Sequence, residues 1–379
     1  MSPSKFRQSR FRKYLIGRII LILIVSCFLF DCKNSGKVEE LGIFSPGRLK
    51  DVAGHDGFSS IPLGNSLMMW TFGDTIIGTW GKPVSVDTTF EESASFSGMI
   101  PNSLAFTQYP DHLTIKNLNF TFSKENGKIV PFIPYKKNEN PLKLRFWALD
   151  GIMMGNQVYV YYARILVDHS DRNQPFSVQG MSIASWRIPP GWKIGDTVNF
   201  TRRCDLFNGD VPTFGDAVII KDSFLYLIGH KRTGKGSVSG FIARVKPEAL
   251  LRSDSYEYLR RDGTWAGKLS EGSPFFNDIS GEASLSYNET MGAYLILYCS
   301  LGGAIKAVTF SDFKYLFNAK ALIIYKPPKL PVIKSRPFLF YYSGKEIVSM
   351  RDYIYAIYIN PAIYQPMLIK IPVSVIKSR

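Results

Sequence analysis

The chain has 379 residues, 45% of them apolar and 20% charged, an ordinary balance for a globular protein with a large buried core. Its formal charge of +15 suggests nucleic acid or an anionic membrane as partner, but the charge is unevenly placed. Residues 1–31 hold six basic side chains and one acid, so the remainder carries 40 basic against 30 acidic residues, or +10, thinly spread and with no basic run interleaved with aromatics; no nucleic-acid groove is expected.

The N-terminus reads as a targeting segment. Lys5, Arg7, Arg10, Arg12, Lys13 and Arg18 precede an apolar stretch from Ile19 to Phe30, short for a membrane span and suited to a secretory signal. LFDC followed by the polar KNSGKVEE then resembles a bacterial lipoprotein signal, with residues 1–31 removed, Cys32 lipidated and 32–41 forming a tether. Cys27, after Ser26, is the alternative cleavage point, and an uncleaved anchor is a third. Each places the body outside the cytoplasm, on the bacterial cell envelope. Cys204 and Cys299 remain and could pair in an oxidising compartment.

From Asp56 onward an arrangement repeats: an acid, a short apolar strand, a polar turn and a second, strongly β run. DGFSSIPLGNSLMMWTF begins at Asp56, DGIMMGNQVYVYYA at Asp150, DAVIIKDSFLYLIGH at Asp216, EASLSYNETMGAYLILY at Glu282 and EIVSMRDYIYAIY at Glu346. The separations are 94, 66, 66 and 64 residues, and the long first interval is read as an insertion at about 81–145. Further strands such as FIARV and AIKAVTF fill the intervals, and KPEALLR is the only short helix predicted. Five units with room for about four strands each predict an all-β fold, a five-bladed β-propeller over residues 42–379, with LIKIPVSV helping to close the ring. In that architecture the first strand of each unit lines a central channel, so Asp56, Asp150, Asp216, Glu282 and Glu346 are expected to converge.

WTFGDT at Trp70–Thr75, FIARVKPEALLRSDSYEYL at Phe241–Leu259 and GEASLSYNETMGAYLILY at Gly281–Tyr298 resemble the bacterial domain-of-unknown-function family 4185 (DUF4185). The resemblance implies a five-bladed propeller related to glycoside hydrolases that cleave furanosides, some members being endo-D-arabinanases. It places the family's early aspartate on Asp56, its Phe-Gly-Asp-Thr on Phe72–Thr75 and its Gly-Glu on Gly281–Glu282. GHKRTGKG around Arg232 is an altered form of a third-blade stretch, and SGKEIVSM stands where a histidine-proline pair is common in the fifth blade. Some related propellers hold a channel calcium; nothing here calls for one, the four histidines lack metal-ligand spacing, and no cofactor is expected.

Glycoside hydrolysis needs two carboxyl groups, one protonated to protonate the leaving oxygen and one ionised to attack or activate water. Acids crowded in a narrow channel cannot all ionise, so at least one is driven to act as an acid near neutral pH. The expected roles are Glu282 as acid and Asp56 as nucleophile or base, exchangeable, with Asp150 or Asp216 tuning the acid and holding hydroxyls. Asp74 and Arg232 are candidate substrate-binding residues, and Trp147 could stack on a sugar ring. Each has a structural alternative: a turn for Asp56, Asp150 and Asp74, core packing for Trp147, and a solvated or paired acid for Glu346. A catalytically silent propeller that binds a glycan or a protein explains the same pattern without cleavage.

Overall fold

The computed structural model describes residues 36–44, 51–64, 66–82, 85–171, 175–331 and 339–377. Residues 1–31 and Cys32 lie outside them, and with them the signal and lipidation readings. Among the described residues no helix is long and apolar enough to cross a membrane.

The protein is all-β, and among the described residues five larger antiparallel sheets follow one another in chain order beside two small ones. The first contains Ser59–Pro62, Leu67–Phe72, Ser103–Gln108 and Thr121–Phe122. The second runs through Leu144–Met154, Gln157–Val167, Phe176–Arg187 and Thr201–Asn208. The third begins Ala217–Lys221, Phe224–Gly234, Ser237–Val245 and adds two short strands, Glu257–Leu259 and Trp265–Ala266. The fourth is Ser284–Asn288, Ala293–Cys299, Ile305–Phe310 and Leu322–Tyr325. In the fifth, Tyr342–Ser349, Tyr353–Asn360 and Gln365–Pro372 are completed by the N-terminal strand Glu39–Ile43, which pairs with Gln365–Pro372.

Side chains alternate across each strand, so every sheet offers an apolar face to each neighbour. In Leu67–Phe72, Met68 and Trp70 pack with Ile357 and Leu368 of the fifth sheet, whereas Met69 packs with Phe146 and Val160 of the second. The same division recurs: Tyr161 and Leu227 lie between second and third sheets, Tyr226 and Ile296 between third and fourth, and Leu297 and Ile369 between fourth and fifth. Each first strand packs against the first strand of the next sheet, and that of the fifth returns to that of the first. These inner strands therefore surround a common axis.

Several details depart from expectation. Ser103–Gln108 and Thr121–Phe122, inside the stretch read as an insertion, are the third and fourth strands of the first sheet. The stretch also carries the hairpin Lys124–Glu125 with Lys128–Ile129, the helix Phe90–Ser93, and the strand Gly98–Ile100, which joins Val52–His55 and Thr75–Ile77 from before it in a small sheet. KPEALLR forms only a 3₁₀ turn at Pro247–Ala249, while VSVIK forms the terminal helix Val373–Lys377. The strand Glu39–Ile43 takes part of the expected tether into the fold. Cys204 and Cys299 are free thiols on the second and fourth sheets.

Candidate active site

Where the inner strands begin, a cavity of about 530 Å³ opens on the axis, within the size range of saccharide pockets. Asp56, Asp74, Trp147, His230, Glu282, Tyr342 and Tyr364 line it, from all five sheets and the loops beside them. Asp56 and Glu282, 226 positions apart in the chain, thus share one space, because each ends the loop that leads into an inner strand.

Asp56 sits in a tight backbone seat. Its N–H donates to the Asp74 carbonyl at 3.0 Å, its own carbonyl accepts from Gly73 N–H at 2.9 Å, and its Oδ1 accepts from Asp74 N–H at 2.8 Å. Gly57, at φ +59°, lies so close to Gly73 that an added Cβ would stand 2.7 Å from the Gly73 backbone and 3.5 Å from Glu282 Oε1. Asp-Gly here is thus a turn whose aspartate also lines the cavity, and only glycine lets the two loops touch. The hydroxyl of Tyr342 donates to Asp56 Oδ2 at 2.8 Å, and Tyr364 reaches the same carboxylate. Burial raises the Asp56 carboxyl to about 6; the hydroxyls and the Asp74 amide oppose the rise, and the Glu282 charge adds to it.

Asp74 is more strongly neutral. Burial, then the Asp56 charge, raise its carboxyl to about 7, against the pull of Arg145, whose Nη1 is 3.4 Å from Oδ2. Three buried atoms around this cavity make no hydrogen bond: Asp74 Oδ1, Glu282 Oε2 and Trp147 Nε1, the indole leaning on the Asp74 carboxyl without closing a bond. Unpaired buried polar atoms are uncommon, and three around one pocket mark a place built for a polar ligand.

Asp216 does not line the cavity. It is fully buried, its Oδ2 2.6 Å from His230 Nδ1, and both side chains are tied to the Thr213 hydroxyl at 3.0 and 2.8 Å. His230 stands at the cavity wall in its place. Burial disfavours the imidazolium, but the Asp216 carboxylate outweighs it and His230 is raised overall; burial raises Asp216, with His230 opposing.

The expected convergence of five acids is corrected here for Asp150 and Glu346. Both lie well inside their strands, Leu144–Met154 and Tyr342–Ser349, and line a separate cavity of about 210 Å³ further along the inner strands. Asp150 Oδ2 accepts from Val218 N–H at 2.9 Å, and burial raises it to about 6 against Lys345. Glu346 accepts from Ser286 Oγ at 2.7 Å and is raised to about 7 by burial. Lys345 is 2% exposed, with Nζ 2.5 Å from Ser59 Oγ. The Lys345 side chain faces Asp150, Asp216 and His230 electrostatically. Among the described residues no three metal-ligating side chains are grouped to hold an ion.

Arg232 is exposed on the rim of an adjoining pocket that shares Trp147 and His230 with the first. Trp147 packs against Phe176, with ring centroids 5.3 Å apart. Sequence reasoning missed Tyr342, Tyr364, His230 and Lys345, because no local pattern ties a lone tyrosine or lysine to an acid hundreds of residues away; His230 and Lys345, in the GHKRTGKG and SGKEIVSM stretches that depart from the resembled pattern, left a signal.

The profile of the domain of unknown function DUF5005 matches residues 46–320, well over half of the chain, and the chain belongs to that family. The family shown is DUF5005; the motif resemblance to family 4185 is not what this match rests on. No curated protein matches the sequence. Among solved structures, the chain is similar to a candidate hydrolase from Bacteroides ovatus ATCC 8483, at 16% identity over 89% of this chain and 92% of that one, with a TM-score of 0.60. A GH43_1 enzyme from Xanthomonas citri complexed with xylose gives 11%, 88%, 90% and 0.50. A family 117 glycoside hydrolase produced by the marine bacterium Zobellia galactanivorans gives 10%, 88%, 90% and 0.50. At such identities the likeness concerns the fold, which is glycoside-hydrolase-like.

Proposed function

We propose that this DUF5005 protein is a glycoside hydrolase whose five sheets are the blades of a propeller, cleaving a saccharide held between Asp56 and Glu282. The observation that carries the proposal is the meeting of these two carboxyls, from the first and fourth sheets, in one cavity whose wall offers unpaired polar atoms and the Trp147 ring. Asp56 is the ionised partner, nucleophile or base: the Asp74 amide and two tyrosine hydroxyls all donate to it and stabilise its charge. Glu282, with Oε2 free, donates the proton to the departing oxygen. Asp74, protonated near neutral pH, binds a sugar hydroxyl and keeps a second negative charge away from Asp56. Asp216 acts through His230, holding the imidazole at the cavity wall. Asp150, one cavity removed, is no longer assigned to the chemistry.

An arabinan-type furanoside is the substrate that the motif resemblance favours, and a xylose-bound structural neighbour supports a saccharide in general. Lipidation at Cys32 and attachment to the cell envelope complete the proposal. The test is release of reducing ends from a panel of arabinans and cell-surface polysaccharides. Glu282→Gln and Asp56→Asn are each expected to lose about 10²–10⁴-fold in turnover while retaining wild-type circular dichroism. Binding without cleavage, unchanged in Glu282→Gln, establishes the silent binding propeller instead.

A further inference from the structure

Beside the acid-lined cavity lies a second pocket of about 450 Å³ that shares Trp147, Phe176, Val178, Thr213 and His230 with it, so the two form one groove. Their characters differ. The first presents Asp56, Asp74 and Glu282; the second ends at Lys231 and Arg232. The hairpin Phe224–Gly234 with Ser237–Val245 produces this: its strands pair out to Arg232–Val238 and Gly234–Ser237, carrying the run Lys231, Arg232 and Lys235 past the end of the inner strand Ala217–Lys221.

Two local facts bear on what this end binds. Lys231 is paired only with Asp210, an acid 76% exposed, at 3.1 Å and through the Asp210 carbonyl at 2.5 Å. Such a solvated pair contributes little and is easily exchanged for a ligand anion. Arg232 makes no ion pair among the described residues, and its fork of donors suits a planar or tetrahedral oxyanion. Phe176, 39% exposed on the same wall, offers a ring face for a sugar between the two ends.

We infer that the groove takes an anionic saccharide, one carrying a carboxylate or sulfate on the sugar next to the ring held at Asp56 and Glu282, with Arg232 and Lys231 binding the anion. The inference builds on the saccharide reading of the cavity and not on cleavage. It is tested on the full chain in the Glu282→Gln background by calorimetric titration with a galacturonate tetrasaccharide, a sulfated tetrasaccharide and a neutral arabinose tetrasaccharide. At least one acidic probe is expected to bind tenfold or more tightly than the neutral one, and the better of the two identifies the anion. In Arg232→Gln the acidic-to-neutral ratio falls about tenfold, while Lys116→Gln, an exposed basic residue elsewhere, leaves it within twofold. Equal affinity for acidic and neutral probes, no binding of either acidic probe, or the same loss in Lys116→Gln overturns the inference. Cleavage of a neutral polysaccharide without acidic preference defeats this inference alone; acidic preference without cleavage of any polysaccharide defeats the hydrolase alone.

Discussion

Asp56 is held by groups that favour its charge, set inside a burial that opposes it, and the balance leaves the carboxyl at about 6. If Asp56 must be ionised to act, the rate falls as pH drops through about 6, well above the usual carboxylate range, and a pH–rate profile with an acidic limb near 4 contradicts a raised carboxyl in that role. Tyr342→Phe removes a donor to the ionised form, so the Asp56 carboxyl rises further; the limb is expected to move upward by about one pH unit, with folding preserved. Asp74 separates two roles. As a protonated hydroxyl-binding group it is mimicked by asparagine, so Asp74→Asn retains turnover within about tenfold of wild type, whereas a loss as deep as that of Glu282→Gln identifies Asp74 as the proton donor. Asp56 and Glu282 were legible in the sequence because both stand just before an inner strand. The groups that tune them were not: Tyr342, Tyr364 and His230 come from other sheets, and only the packed fold brings them near.

At the scale of elements, the alternation of polar turns and β runs marked every inner strand, yet the repeat could not say where along a strand an acid falls. A displacement of a few residues carried Asp150 and Glu346 into the separate cavity, since position along an inner strand decides which space a side chain faces. The first interval misled for a related reason: its strands Ser103–Gln108 and Thr121–Phe122 are separated by polar loops that hide their pairing. The N-terminal strand escaped notice because five residues, EELGI, carry little pattern. Its packing is substantial, however. Phe44, just beyond it, is fully buried against Phe58 and Trp70, with centroids 5.4 and 5.9 Å away. Phe44→Ala is expected to cost about 3–5 kcal/mol in urea unfolding, and a cost below 1 kcal/mol denies that this strand locks the first and fifth sheets together.

Across the whole molecule, Asp56 and Asp150 at about 6 and Asp74 and Glu346 at about 7 are acids raised above their unfolded values. Each favours the fold fully below about pH 4 and loses that contribution as pH rises through 6 to 7. The thermal midpoint should therefore fall between pH 5 and pH 8. Glu346→Gln keeps the Ser286 contact without the charge, and is expected to raise stability at pH 8 by about 1–3 kcal/mol and to change it little at pH 4. A midpoint that climbs steadily from pH 5 to pH 8 contradicts this. The direction of the outermost strand carries a last consequence. Tyr364 touches the acid-lined cavity and the strand Gln365–Pro372 runs away from it; Glu39–Ile43 runs back alongside, with Glu39 opposite Lys370 and Ile43 opposite Met367. The chain ahead of Glu39 hence departs from the face remote from the acid-lined cavity. A lipid on Cys32 would moor the body by its underside, leaving the groove turned toward the surroundings, where long polymers could reach it without threading between protein and membrane.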